Sequence, residues 1–493
     1  MDGSFSTVSD LSPPMDPAYM SDADDDILEQ EQGDLFPQSE NLTSMNSNYV
    51  LLESGTTEQK TLSKGRLRAQ SIRNFRSASL SISMLAKPSD DRKANAFLSG
   101  WNVSNLIQGT GILGVPYAVQ QGGWAAVAMI FVVALLCCHT GKLLIDCMYE
   151  TSRKTGIARR LRVNYPEVAE AVMGRKGHII VSIVQSVEMF GGIIMYIVLL
   201  GTVWADLLKS VNVLGFKEWA AINCCIVLPS LFITKKSIIS WVFSMLSVFL
   251  LMSSLLTLIS FCFTQVTVFK MSNIPSFDPQ TFPIGFGIIL FSYCAHTAFP
   301  SIEGSMKKPQ SFNSMLNYSF LLAAIIKGSL GTFMVLTFGD STAEVATVNL
   351  VQHPIFSKIL TGLVISNVLL AIPLGMFVVS LTFDEAFLKY FPHLNRDSKY
   401  HWVWMLISRP LLLTFALLLA LIVPHFGLLM GVIGSFTGTC LCFVFPCYFH
   451  MKLRWSTLKK WEIVLEISIM IFGVIAGGLG LTFSMKALIM TYL

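Results

Sequence analysis

Gln108-Gly109-Thr110-Gly111-Ile112-Leu113-Gly114-Val115-Pro116-Tyr117 lies inside an apolar run long enough to cross a membrane. Three glycines and a proline this close together cannot sustain a regular helix. A second stretch has the same character: Phe291-Ser292-Tyr293-Cys294-Ala295-His296-Thr297-Ala298-Phe299-Pro300-Ser301-Ile302-Glu303-Gly304. Irregular backbone at membrane depth is tolerated only where protein buries it or where it lines a cavity. Two such breaks therefore point to a binding site inside a bundle of membrane helices.

Working outward, the apolar runs are counted against the roughly 20 residues that a helix needs to cross the hydrocarbon core. Eleven candidates lie near 97–119, 124–149, 179–206, 219–234, 238–264, 282–302, 314–338, 355–383, 401–422, 425–449 and 461–484. The fourth is short and the break at Pro424 is tight, which leaves ten or twelve as alternatives. The composition agrees, at 53% hydrophobic and 13% charged, about half the charge of a soluble domain. The expected fold class is an all-α polytopic membrane protein of about 11 transmembrane helices with a disordered N-terminal tail.

The two breaks fall in spans one and six, five spans apart, as two inverted repeats of five helices predict. On that reading repeat one covers about 94–264, repeat two about 282–449, and 461–484 is an extra helix. With the N-terminus in the cytosol, 18 Lys and Arg fall in inner loops and five on the outer side. That asymmetry matches the positive-inside rule and places the C-terminus across the membrane. No secretory signal is expected, because the first residues lack an apolar core.

Residues 1–93 are rich in Ser, Asp, Glu and Gln and poor in aromatics, so they cannot bury enough apolar surface to order themselves. The half nearer the first span is basic, suited to anionic lipid. Tyr49-Val50-Leu51-Leu52 has the form of a sorting signal, with Tyr49 and Leu52 readable by a coat adaptor. The ten cysteines all lie in or beside apolar runs and read as small core residues. No zinc-ligand spacing, nucleophile–base pair or cofactor motif appears, so neither enzyme nor metal site is expected, and nothing suggests nucleic acid. Span count disfavours a seven-helix receptor, and no charged or carbonyl filter ring suggests a channel.

The chemistry at the breaks follows from their geometry. A half-helix starting after Gly111 presents unpaired N–H groups to a carboxylate, and carbonyls freed near Thr110 and Cys294 suit an ammonium. An amino-acid zwitterion fits that pair. The candidate substrate-binding residues are Gly109, Thr110, Gly111, Ile112, Tyr293, Cys294, His296 and Thr297. Ionisable groups at membrane depth are functional candidates. Glu188 and His296 are the proton-coupling candidates, the latter because imidazole titrates near neutral pH. Lys327 and Arg409 read as snorkelling or structural residues and as partners for Glu188, and Glu303 as a gate or loop anchor.

Gly100-Trp101-Asn102-Val103-Ser104-Asn105-Leu106-Ile107-Gln108-Gly109 and Leu113-Gly114-Val115-Pro116-Tyr117-Ala118 resemble the amino acid/auxin permease family. Cys137-Cys138-His139-Thr140-Gly141-Lys142, Pro300-Ser301-Ile302-Glu303-Gly304 and Val423-Pro424-His425-Phe426-Gly427 extend the likeness. It covers roughly residues 94–490 and is strongest to the family's vesicular branch for inhibitory amino acids. The resemblance implies a LeuT-like fold. It also implies loading of GABA and glycine into synaptic vesicles by exchange with luminal protons. A proton–amino acid symporter of plasma membrane or lysosome, or an amino-acid-sensing transceptor, would share the same sequence features.

Overall fold

The computed structural model describes residues 95–151, 158–208, 214–232, 244–271, 274, 277–394, 398 and 400–493. The tail before residue 95, with Tyr49 and Leu52, lies outside the described residues.

The first predicted span is α1 (Ala96–Gln108), a tight turn of 3-10 helix (Thr110–Gly114), and the start of α2 (Val115–Asp146). Inside α2 the backbone kinks at Gly123, whose φ of 59° is a conformation that suits glycine. That kink divides predicted spans one and two. A short hairpin, β1 (Tyr149–Thr151) with β2 (Ala158–Arg160), follows. Then comes α3 (Tyr165–Leu207), whose first turn Asn164 caps by accepting from Glu167 N at 2.9 Å. A kink at Gly174 separates an amphipathic first part from predicted span three. The sequence reading missed that first part because it is too polar to count as a span.

α4 (Phe216–Val227) continues as a tighter turn through Pro229, and α5 (Ser244–Thr264) is a plain apolar span. Predicted span six is two pieces, α6 (Phe282–Tyr293) and α7 (Phe299–Ser305). Next are α8 (Phe312–Phe338), α9 (Pro354–Phe387) and α10 (His401–Ile422). Residues 423–425 break the chain at Pro424 before α11 (Phe426–Ile433). A wider, π-wound stretch (Gly434–Val444) leads into α12 (Phe445–Arg454), where Pro446 lacks the N–H that a regular turn would use. Such wide turns occur often at functional sites. α13 (Lys460–Met490) closes the bundle.

Among the described residues, eight helices are long and apolar enough to cross a membrane. One stretch of 48 residues, Ser99–Asp146, contains two predicted spans end to end. Predicted spans four and six fall short as single helices because Pro229 and the 294–298 break divide them. The chain is an all-α polytopic membrane protein.

The packing has internal order. Span one (α1) packs on span seven (α8), and span six (α6) packs on span two (α2). Span three (α3) packs on span ten (α11 to α12), and span eight (α9) packs on span five (α5). Spans three and eight touch, as do four and nine. Each contact recurs when its partners are exchanged five places along, the pattern that two five-span repeats related by a two-fold axis would produce.

Candidate functional site

The first break is confined to one residue. Gly109 has φ 40° and ψ −172°, and the 3-10 turn begins at once. The helical start expected after Gly111 therefore lies earlier and is more tightly wound. The whole turn, Thr110 to Gly114, is buried. The second break spans residues 294–298, with Cys294 extended at the end of α6. The segments beside the two breaks touch: a methyl group added at Gly111, in the turn after the first, would sit 3.4 Å from Cα of Ser292, in the last turn of α6 before the second.

Each break frees a backbone carbonyl, Ile107 O in the first and Ser292 O in the second. Lys327, on α8 and fully buried, reaches both. Its Nζ donates to Ile107 O at 2.9 Å and to Ser292 O at 2.5 Å, and lies 3.1 Å from Ser292 Oγ. The same nitrogen is 3.7 Å from the centre of the Tyr293 ring. Two expectations are corrected here. Lys327 does not snorkel to the surface, and the freed carbonyls are not left open for a substrate ammonium. Arg409 is not a partner of Glu188 either. It forms a two-pronged, buried ion pair with Asp384, at 2.9 and 3.2 Å.

The second break is held by side chains. His296 is fully buried, with Nε2 3.0 Å from Thr140 Oγ1. The Thr140 hydroxyl also lies 3.0 Å from Leu136 O, and His296 Nδ1 has no hydrogen-bond partner among the described residues. Cys442, in the π-wound stretch, donates to Cys294 Sγ at 3.2 Å. Glu188, on α3, is buried beside Cys294. Thr297 is half-buried.

Beyond the break, α7 is latched to the hairpin and its approach. Arg160 Nη1 lies 3.3 Å from the buried carboxylate of Glu303, and Arg160 Nη2 donates to Pro300 O at 2.6 Å. Tyr149 OH donates to the same carboxylate. Glu303 therefore acts as an anchor, through Arg160 rather than through the neighbouring Lys307 and Lys308. At the opposite end, the loop between α8 and α9 covers the first break, where Ala346 N donates to Leu113 O at 3.0 Å. Glu344 of that loop accepts from Gly427 N at 2.8 Å and faces His425 Nδ1 at 3.3 Å.

Several buried polar atoms around the breaks have no protein partner among the described residues. They include both side-chain atoms of Gln108, Asn105 Oδ1, Tyr293 OH, Glu188 Oε2 and His296 Nδ1. An unpaired buried polar atom is costly, so such a cluster marks a place where a polar ligand can repay the loss. Gln108 and Asn105 were not among the expected site residues. Their signal was present, since two carboxamides one helical turn apart precede Gly109 in an apolar span.

Residues 92–490 match the family described as transmembrane amino acid transporter protein. A vesicular inhibitory amino acid transporter of Xenopus tropicalis is 33% identical over 418 residues, 83% of this chain and 79% of that protein. A vesicular GABA transporter of Caenorhabditis elegans is 32% identical, covering 77% of each chain. The solved manganese transporter of Eremococcus coleocola, at 12% identity, aligns with a TM-score of 0.48 over 78% of this chain and 86% of its own. This chain belongs to the transmembrane amino acid transporter family and is a membrane transporter, not an enzyme.

Proposed function

We propose that the protein loads inhibitory amino acids, GABA and glycine, into vesicles by exchange with luminal protons. The observation that carries this reading is the contact between the segments beside the two helix breaks, Gly111 against Ser292, near unpartnered buried polar atoms of Gln108, Asn105 and Tyr293. The vesicular transporters among its relatives favour the vesicular setting and the inhibitory substrate.

In this reading Gly109, Thr110, Gly111 and Ile112 offer N–H groups to the substrate carboxylate. Tyr293, Cys294, His296 and Thr297 line the other side, and Gln108 joins them. Since Lys327 takes the freed carbonyls, the substrate amine uses side-chain acceptors such as Gln108 Oε1 and His296 Nδ1. Glu188 carries the exchanged proton. An unpaired carboxylate buried at membrane depth is expensive, so proton release there is tied to a change in its surroundings, which include Cys294 of the second break. Each pH unit supplies about 1.4 kcal/mol per proton, and 100 mV about 2.3 kcal/mol per charge.

The same reading places two five-helix repeats at about 94–264 and 282–449, with 461–484 added. The tail 1–93 lies in the cytosol, where Tyr49 and Leu52 would meet a coat adaptor, and the C-terminus is luminal. The test is uptake of labelled GABA, glycine and alanine into acidified proteoliposomes, with and without a proton uncoupler. Uncoupler-sensitive GABA or glycine uptake into the acidic lumen is expected. Uptake only when the acidic side is outside would replace this reading with a symporter.

A further inference from the structure

We propose that Lys327 is a resident cation of the transport site. Its ammonium fills a carbonyl-lined seat that a dissolved monovalent cation would otherwise occupy, so the carrier needs neither sodium nor potassium. This rests on the transport reading above and adds its ion requirement.

Ile107 O and Ser292 O lose their helical N–H partners at the two breaks, and no water is available in a bilayer core to replace them. Ser292 Oγ is the third oxygen of the group, and its hydrogen is already committed to Ile289 O at 2.7 Å. It therefore faces Lys327 as an acceptor. Three acceptors within 3.1 Å of Nζ call for three N–H donors. An ammonium has three and a neutral amine has two.

No carboxylate pairs with Lys327 among the described residues. The positive charge is held by backbone dipoles, a hydroxyl and the face of Tyr293. Backbone carbonyls and hydroxyls are the ligands that replace the water shell of alkali ions. An ammonium and a small alkali ion are interchangeable in such a seat, but the lysine is tethered and cannot leave. It also joins oxygens from both breaks, so it sets their spacing and acts as a positioning residue for the substrate.

Two substitutions separate charge from volume. Lys327→Ala empties the seat, whereas Lys327→Met fills it with an uncharged chain. The full-length protein in lipid nanodiscs is assayed for binding of radioactive sodium and for thermal melting in sodium, lithium or choline chloride. Uptake is measured in the same salts. The wild-type protein is expected to bind no sodium and to melt and transport alike in all three salts.

Lys327→Ala should bind sodium saturably and melt higher in sodium or lithium than in choline. Its uptake should fall about tenfold or more in choline, as expected for buried acceptors left without a donor, and recover in sodium. Lys327→Met should bind none and show no recovery. Sodium-dependent transport or sodium binding by the wild type overturns the proposal, and so does a folded Lys327→Ala that neither binds sodium nor recovers. Failure of Lys327→Ala to fold in sodium as well as choline also counts against it, because an occupied seat should restore what the ammonium supplied. Sodium binding and melting require neither substrate nor a proton gradient, so this proposal and the proton-exchange reading can fail separately.

Discussion

The two helix breaks lie side by side but are held in different ways. The first depends on backbone conformation: one glycine at φ 40° turns the chain, and a fully buried 3-10 turn continues it. The second contains no residue of positive φ among the four glycines that have one. It is held by side chains from elsewhere, Thr140 on His296, Cys442 on Cys294, and Arg160 with Tyr149 on Glu303. A conformation set by a backbone dihedral resists change. One set by side-chain contacts can be released one contact at a time. On this comparison the first break is expected to be the more fixed wall of the site and the second the one that can be released, with the latch at Glu303 as its catch.

The largest effect should come from breaking that catch. Arg160→Met leaves the Glu303 carboxylate buried with only Tyr149, and loss of one partner of a buried ion pair typically costs about 3–5 kcal/mol. The expected outcome is faster maleimide labelling of Cys294 from the side of the β1–β2 hairpin, located by mass spectrometry, together with impaired uptake. The reversed pair, Arg160→Glu with Glu303→Arg, should recover part of the closed state. Unchanged labelling in Arg160→Met would mean that the second wall is as fixed as the first.

Next in size is the backbone test of the first wall. Gly109→Ala forces a side chain into a positive-φ, extended-ψ conformation that is essentially confined to glycine and costs about 1–3 kcal/mol. Uptake should fall, whereas Cys294 labelling should change little. Gly192→Ala on α3 is the matched control, since an added methyl there meets nothing within 4 Å. Equal losses in the two variants would remove the special status of the first break.

How much of this was legible in the sequence follows from the range of each signal. The breaks at 108–117 and 294–300 were visible because glycine and proline act on their own backbone. The spans were visible because hydrocarbon thickness sets a length. The contacts that give the breaks their meaning were not visible. Lys327 joins Ile107, 220 residues away, to Ser292, 35 away. Arg160 reaches Pro300 across 140 residues. No local pattern encodes such pairs, so Lys327 and Arg409 both read as snorkelling or structural residues and as candidate partners for Glu188, although the partner of Arg409 is Asp384. The π-wound stretch at Gly434–Val444 was also not read from the sequence, although Pro446 follows it directly.

The smallest predicted effect sharpens the comparison most. Thr140→Val keeps the volume of the side chain and removes the hydroxyl that faces His296 Nε2. The loss of one such bond amounts to about 1 kcal/mol, more if the ring nitrogen stays buried and unpaired. Thr140→Ser, which keeps the hydroxyl, should cost less despite removing a methyl group. If the second wall is held by separable contacts, Thr140→Val should combine more than additively with Arg160→Met in Cys294 labelling, because both act on the same short segment. It should combine additively with Gly109→Ala, which acts on a separately fixed element. Additivity in both pairings would show that the segment from Cys294 to Ala298 does not move as one piece, and the catch at Glu303 would then control α7 alone.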